Sequence, residues 1–133
     1  MKQIKLLDLD LHDYSEDLNA LYLEAGWIEK PASRENLRKA MASSYCCFGA
    51  FDEEKMIGFF RAISDGVADA YLLDLFVSKK YRNKGIATAL IREIVTYLKS
   101  NGIEWITCIS TPEAEKIYKK IGSVMDNHTP FKF

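Results

Sequence analysis

A strand, a short basic loop and an amphipathic helix follow one another near the middle of the chain, and this order constrains the fold most. Residues 71–77 (YLLDLFV) form an apolar run typical of a buried strand. Residues 78–85 are mostly polar and contain four Lys or Arg side chains. Apolar residues then recur at intervals of three and four, which predicts one buried stripe of an α-helix: Ala87, Leu90, Ile91, Ile94, Val95 and Leu98. This arrangement predicts an α/β domain in which a right-handed crossover joins two parallel strands.

The start of this helix is a candidate anion site. The first turn of an α-helix carries N–H groups without intrahelical acceptors, together with the positive end of the helix dipole. Gly85 has no Cβ and Ala87 is small, so a bulky anion can approach the backbone there. The alternative is a solvated basic turn in which Gly85 is an ordinary turn residue.

The pattern Arg82-x-x-Gly85-x-Ala87 after a strand resembles the pyrophosphate loop of the GCN5-related N-acetyltransferases, the GNAT family, which move an acetyl group from acetyl-CoA to an amine. The resemblance implies acetyl-CoA as co-substrate, bound by the loop through backbone N–H groups and side-chain charge. The predicted residues are Arg82, Asn83, Lys84, Gly85, Ile86, Ala87 and Thr88. A dinucleotide site is not indicated, because the loop lacks Gly-x-Gly-x-x-Gly.

The rest of the chain is similar to that family in the order of its elements. Hydrophobic periodicity and turn signals predict one α/β domain, 1–133, in the order β-α-α-β-β-β-α-β-α-β. The resemblance implies the acyl-CoA N-acyltransferase fold with a mixed central sheet of six to seven strands. Further predictions concern individual segments: a capping box at Asp13 and Glu16, an N-cap at Ser33, a fully buried strand at 105–109, a helix N-cap at Thr111 and a short strand within 124–133.

Composition argues against several functional classes. The chain has 133 residues and a net charge of −1, so no global positive field favours nucleic acid. No apolar run approaches the roughly 20 residues of a membrane span, and the N-terminus lacks a signal-peptide core, so we expect a cytoplasmic protein without a membrane partner. Cys46, Cys47 and Cys108 show neither metal nor disulfide spacing; we interpret them as small buried hydrophobes and expect no metal.

The resemblance also implies where the thioester would lie. In the family, the pantetheine enters a gap where the strand before the loop splays from the strand after the long helix. Leu75, Phe76 and Val77 end the first of these strands here, and we assign the role to their backbone. A backbone N–H at this point would polarise the thioester carbonyl.

Two side chains are candidates for proton transfer. Tyr118 lies in Ala114-x-x-x-Tyr118-x-x-x-Gly122, similar to a family motif that has a Tyr near the CoA sulfur, and a phenol is protonated at neutral pH and can donate to the thiolate. The alternative for Tyr118 is a core tyrosine. Asp74 lies in an apolar strand; it could be a general base acting through water, attract a cationic substrate, or pair with Arg61 as a structural partner.

The acceptor site is predicted on the first two helices and their connection. Tyr22, Glu24, Trp27 and Glu29 would form its wall, since acidic and aromatic groups together suit an organic cation. We expect a small-molecule amine that attacks acetyl-CoA directly in a ternary complex. A protein N-terminus or lysine as acceptor, and a CoA-binding module without catalysis, remain alternatives. The sequence also leaves a homodimer open, with Phe131 and Phe133 offering apolar surface.

Overall fold

The computed structural model describes residues 2–133, which form one five-stranded sheet with helices on both faces. The sheet order is β1-β2-β3-β4-β5; the first four strands are antiparallel neighbours, and β5 pairs parallel to β4. The strands are β1 Lys2–Leu6, β2 Cys46–Asp52, β3 Lys55–Ser64, β4 Asp69–Val77 and β5 Trp105–Cys108. The helices are α1 Ser15–Ala25, α2 Arg34–Ala42, α3 Ile86–Ser100 and α4 Glu115–Lys119, with a 3-10 turn at Lys79–Tyr81.

The sheet separates two hydrophobic cores. On one face α3 buries its predicted stripe, and Leu90, Ile94 and Leu98 are completely inaccessible to solvent. Each fully buried aliphatic side chain of this size contributes about 1.5–3 kcal/mol relative to an exposed one. On the other face α1 and α2 cover a second core that includes Leu18 and Phe59. The central strand–loop–helix prediction is therefore confirmed.

The three cysteines differ in burial. Cys46 faces the α3 core and Cys47 the α1–α2 core, as expected for neighbours in a strand. Burial raises the pKa of the Cys46 thiol to about 12 and that of Cys47 to about 11, so both are neutral apolar side chains. The interpretation as a buried hydrophobe holds only in part for Cys108, which is half-buried at the end of the edge strand β5.

Helix starts agree with the sequence in one case and differ in another. Ser33 caps α2, because its Oγ accepts a hydrogen bond from the Asn36 N–H at 3.0 Å. The predicted capping box at Asp13 and Glu16 is wrong. The Asp13 carboxylate instead accepts hydrogen bonds from the N–H and hydroxyl of Ser15, and the helix begins at Ser15, one residue later than a cap at Asp13 predicts.

The C-terminal third departs most from the sequence prediction. The sheet has five strands instead of six to seven, because 124–133 form no strand. Segment 105–109 is not buried on both faces: β5 is an edge strand, and Trp105 and Ile109 are 55% and 59% exposed. Thr111 is not a helix N-cap. Residues 112–114 form a turn instead, in which the Ala114 N–H donates to the Thr111 carbonyl at 3.2 Å, and α4 begins at Glu115.

Across residues 2–133, no helix has both the length and the apolar character that crossing a bilayer requires.

The turn between β3 and β4 yields a prediction about acid stability. Asp65 Oδ1 accepts hydrogen bonds from the Val67 and Ala68 N–H groups at 2.8 and 2.9 Å, and these bonds, Ala68 first, hold the pKa of Asp65 below its ordinary value of 3.8. A lowered pKa means that ionised Asp65 stabilises the fold above pH 3.8, and that this contribution disappears as the pH falls through the lower folded value.

We expect Asp65→Asn to lower the melting temperature at pH 7, with the difference from the wild type shrinking below pH 4. Asp65→Ala, which also removes the acceptor oxygen, is expected to stay less stable at every pH. Thermal melts followed by circular dichroism measure both; an Asp65→Asn difference that is independent of pH would contradict the prediction.

Candidate active site

The loop before α3 presents unpaired backbone donors. Gly85 is the N-cap of α3, with φ +78°, and Asn83 is also left-handed, with φ +60°. No side chain caps the helix, and its first bond joins the Ala89 N–H to the Gly85 carbonyl at 3.0 Å. Within residues 2–133, the N–H groups from 83 to 88 donate no hydrogen bond to the protein. This is the donor set that an anion requires.

The approach to these donors is open, and positive charge surrounds it. A Cβ built at Gly85 would meet no atom within 4 Å, and Asn83 and Lys84 are exposed. Arg82 is fixed beside the loop: its Nε donates to the Val77 carbonyl at 3.0 Å, and its guanidinium lies 5.2 Å from the centroid of the Phe76 ring. The unpaired donors, the open space and the cations fit a pyrophosphate group.

The two parallel strands separate next to this loop. β5 pairs with β4 only from the Asp69–Trp105 pair to the Leu72–Cys108 pair, whereas β4 continues to Val77. Among the described residues, 73–77 therefore pair with β3 on one side and with no strand on the other. This open edge contains the backbone of the three residues predicted at the thioester, namely Leu75, Phe76 and Val77.

A β-bulge lies in the middle of the open edge. Two residues of β4, Asp74 and Leu75, lie opposite one residue of β3, Phe60. Asp74 has φ +64°, in the left-handed region that side chains with a Cβ rarely adopt. The bulge interrupts the alternation of the strand, because Leu72 and Leu75, three positions apart, both pack on the α3 core.

The bulge directs Asp74 toward the α1 side of the sheet. Its Oδ2 accepts hydrogen bonds from the Tyr22 hydroxyl at 2.9 Å and from Arg61 Nε at 2.8 Å, and Arg61 Nη1 also donates to Ser44 Oγ at 3.1 Å. Burial, reinforced by the Asp74 charge, raises the pKa of Tyr22. Burial would lower the pKa of Arg61, but the hydrogen bond and charge of Asp74 outweigh it and raise that pKa. The structure thus contains the Arg61 pairing that the sequence left open for Asp74.

Tyr118 lies where β4 and β5 begin to separate. Its hydroxyl interacts electrostatically with the thiol of Cys108, the last residue of β5, and its ring centroid lies 6.5 Å from that of Phe60. Burial, with a further contribution from Cys108, raises the pKa of Tyr118, so the phenol keeps its proton at neutral pH. The sequence did not reveal this contact, since the approach of α4 to β5 depends on tertiary packing.

The predicted acceptor wall is partly assembled. Trp27 is 46% exposed, and its ring centroid lies 5.4 Å from that of Tyr22 and 5.7 Å from that of Phe76. Glu29 is exposed and forms no ion pair with other described residues. Glu24 instead fixes the start of the loop, because its carboxylate accepts hydrogen bonds from the Ser78 hydroxyl and the Lys79 N–H, at 2.9 and 2.8 Å.

Known proteins share both the sequence pattern and the fold. Residues 10–132 match the sequence model of the family described as "Acetyltransferase (GNAT) domain". The N-acetyltransferase ycf52 of Gracilaria tenuistipitata var. liui is 27% identical over 114 residues, which cover 83% of this chain and 62% of the relative. The histone acetyltransferase TAP1 of Glycine max is 27% identical over 130 residues, covering 90% of this chain and 54% of that protein. The chain thus spans about six tenths, or less, of the length of these relatives.

A solved structure shares the complete architecture. The crystal structure of SA2161, a probable acetyltransferase from meticillin-resistant Staphylococcus aureus, superimposes with a TM-score of 0.81 at 24% identity and covers 100% of both chains. Its likeness, taken with the family match, shows that the five-stranded sheet described above is a form of the GNAT fold. Together with the family match over nearly the whole length, this means that the chain belongs to the GCN5-related N-acetyltransferase family.

Proposed function

We propose that this chain transfers an acetyl group from acetyl-CoA to the amine of a small molecule, by direct attack in a ternary complex. One observation carries the proposal: three features follow one another along a single strand edge. These are the free N–H groups at the start of α3, the edge of 73–77 that pairs with no strand, and the Tyr118 hydroxyl at the point of separation. Acetyl-CoA needs a site for its pyrophosphate, one for its pantetheine and one for its sulfur, in that order along the molecule.

Each group of residues has a separate role in binding acetyl-CoA or in transferring the acetyl group. The N–H groups of 83–88, with Arg82 and Lys84, would hold the pyrophosphate, and the backbone of 75–77 would pair with the pantetheine and polarise the thioester carbonyl. The neutral amine forms a bond to the acetyl carbon, the carbon–sulfur bond breaks, the nitrogen loses a proton and the sulfur gains one. Tyr118, which stays protonated, would donate to the departing sulfur.

The acceptor side favours a small organic cation. Trp27 offers an exposed aromatic face beside Tyr22 and Phe76, and the Asp74 carboxylate lies at the same wall, hydrogen-bonded to Tyr22. Because Arg61 already pairs with that carboxylate, the attraction for an ammonium group rests on the exposed aromatic face, which also accepts an attached apolar body. A small amine carrying a ring or alkyl group matches these surroundings.

Calorimetric titration tests the first step of the proposal. Acetyl-CoA is expected to bind with a Kd on the order of micromolar, equivalent to about −8 kcal/mol. Desulfo-CoA, which keeps the pyrophosphate but has no thioester, is expected to bind within about ten-fold of that value, since the loop supplies most of the polar contacts. If neither ligand binds, the loop is only a basic turn and the proposal fails.

Release of free CoA in the presence of acceptors tests the second step. The panel contains an arylalkylamine, an aliphatic diamine and a lysine-containing peptide with a free N-terminus. Turnover with either small amine supports the proposal. Turnover with the peptide alone would make this a protein acetyltransferase, the activity named for the Glycine max relative. Binding of acetyl-CoA without turnover on any acceptor would leave a CoA-binding module.

A further inference from the structure

We propose that Asp74 is a positioning residue: clamped by Tyr22 and Arg61, it holds the β4 bulge that shapes the strand edge facing the thioester. This inference rests on the proposed function and assigns Asp74 a role other than that of general base. The group of Asp74, Tyr22 and Arg61 is called the clamp below.

The backbone of Asp74 has an unfavourable conformation that other contacts must stabilise. Its φ of +64° lies in a region that is sparsely populated for residues with a Cβ, although Asp and Asn tolerate it better than other such residues. Such a conformation persists where its surroundings fix it. Here the side chain of the strained residue is itself the point of attachment.

The clamp joins three elements at one oxygen atom. Tyr22 comes from α1, Arg61 from β3 and Asp74 from β4, and both donors bind Oδ2. The Arg61 side chain is only 16% exposed, so removal of the carboxylate would leave a largely buried cation without its ion pair. Because both donors bind Oδ2, the carboxylate is held in one orientation by two elements other than its own strand.

The bulge lies where the strand edge becomes available to a ligand. β5 stops pairing at Leu72, and the bulge at Asp74 and Leu75 follows immediately. A bulge increases the local twist and bends its strand, which moves the rest of β4 away from the line of β5. The clamp thus fixes the direction in which the backbone of 75–77 faces the gap.

Two substitutions at one position separate positioning from proton transfer. Asp74→Gly and Asp74→Ala both remove the carboxylate, but glycine adopts a positive φ without strain and alanine does not. If the role of Asp74 is to hold the bulge, kcat of Asp74→Gly is expected to exceed kcat of Asp74→Ala about ten-fold. This ratio corresponds to the free energy of left-handed strain in a residue with a Cβ. The acidic limb of the pH profile of kcat/KM is expected to persist in Asp74→Gly.

Thermal melts give a second readout that needs no substrate. Glycine in a strand is ordinarily less stable than alanine. At position 74 we expect the reverse, with Asp74→Gly melting at a higher temperature than Asp74→Ala. At the neighbouring Leu73, which has no positive φ, we expect the ordinary order, with Leu73→Ala more stable than Leu73→Gly. Leu73 is thus the matched control for a position on the same strand.

Three results would overturn the proposal. Equal losses of kcat in both Asp74 variants, by about 10²–10⁴-fold and with loss of the acidic limb, would identify a general base. Asp74→Ala as stable as Asp74→Gly would show that the bulge does not depend on the backbone preference of this residue. A wild-type chain that acetylates no amine would remove the proposed function and with it the positioning role, while the order of melting temperatures would still show whether the bulge is strained.

Discussion

Replacing Gly85 with alanine is expected to weaken acetyl-CoA binding about 10- to 100-fold, the equivalent of losing one charge-assisted hydrogen bond. Gly85 has φ +78° and precedes the first turn of α3, so its conformation sets the direction of the neighbouring N–H groups. A Cβ would meet no atom within 4 Å, and the free protein therefore has room for the methyl group. Binding weakens because the backbone changes: alanine is strained in the left-handed region, and relief of that strain rotates the peptide planes that carry the donor N–H groups. The added methyl group also narrows the approach of the anion.

The other end of the same helix supplies the control. Gly102 follows α3, has φ +82° and also has no atom within 4 Å of a built Cβ. Gly102→Ala is expected to lower the melting temperature as much as Gly85→Ala but to keep the Kd for acetyl-CoA within about two-fold, since its N–H is not part of the donor set. Calorimetry of both variants measures the contrast. Equal affinities in Gly85→Ala and the wild type would remove the loop from the binding site.

The sequence predicted the loop because its determinants are local. The strand–loop–helix order follows from the periodicity of 71–98 and from one glycine, and each of these acts over a few residues of chain. Local determinants of this kind depend little on contacts with distant parts of the chain. Tyr118 was singled out in another way, by the resemblance of Ala114-x-x-x-Tyr118-x-x-x-Gly122 to a family motif, and its role at the sulfur stays a prediction.

The clamp and the C-terminal segment have determinants of another kind. Tyr22 and Asp74 are 52 residues apart in sequence, and their hydrogen bond exists only because α1 packs across β3 and β4. Apolar residues at 105–109 predicted full burial, but the burial of a strand depends on its position in the sheet, and β5 lies at the edge. The bulge at Asp74 is likewise a property of the pairing between two strands, and residue types alone gave no signal of it.

Replacing Tyr118 with phenylalanine is expected to lower kcat about 10²–10³-fold while leaving the Kd for acetyl-CoA nearly unchanged, because a donor to charge that develops in the transition state contributes little to ground-state binding. The phenol is protonated at neutral pH, since burial raises its pKa above the ordinary value of 10.0. Its titration should therefore cause no decline of wild-type kcat below pH 10. Stopped-flow or steady-state release of CoA measures kcat, and calorimetry measures the affinity.

The matched control is Tyr97→Phe. Tyr97 is also a half-buried tyrosine, but it lies on α3 with its ring centroid 5.7 Å from that of Phe48, so its hydroxyl cannot reach the gap between β4 and β5. Loss of kcat in Tyr118→Phe alone would assign the effect to the hydroxyl at the sulfur, because both variants remove one oxygen atom from a partly buried ring. Equal kcat in all three proteins would mean that water or the substrate amine supplies the proton, and Tyr118 would then be a core residue beside Cys108. A loss of acetyl-CoA affinity in Tyr118→Phe would instead point to a binding role, since transition-state stabilisation alone leaves that affinity intact.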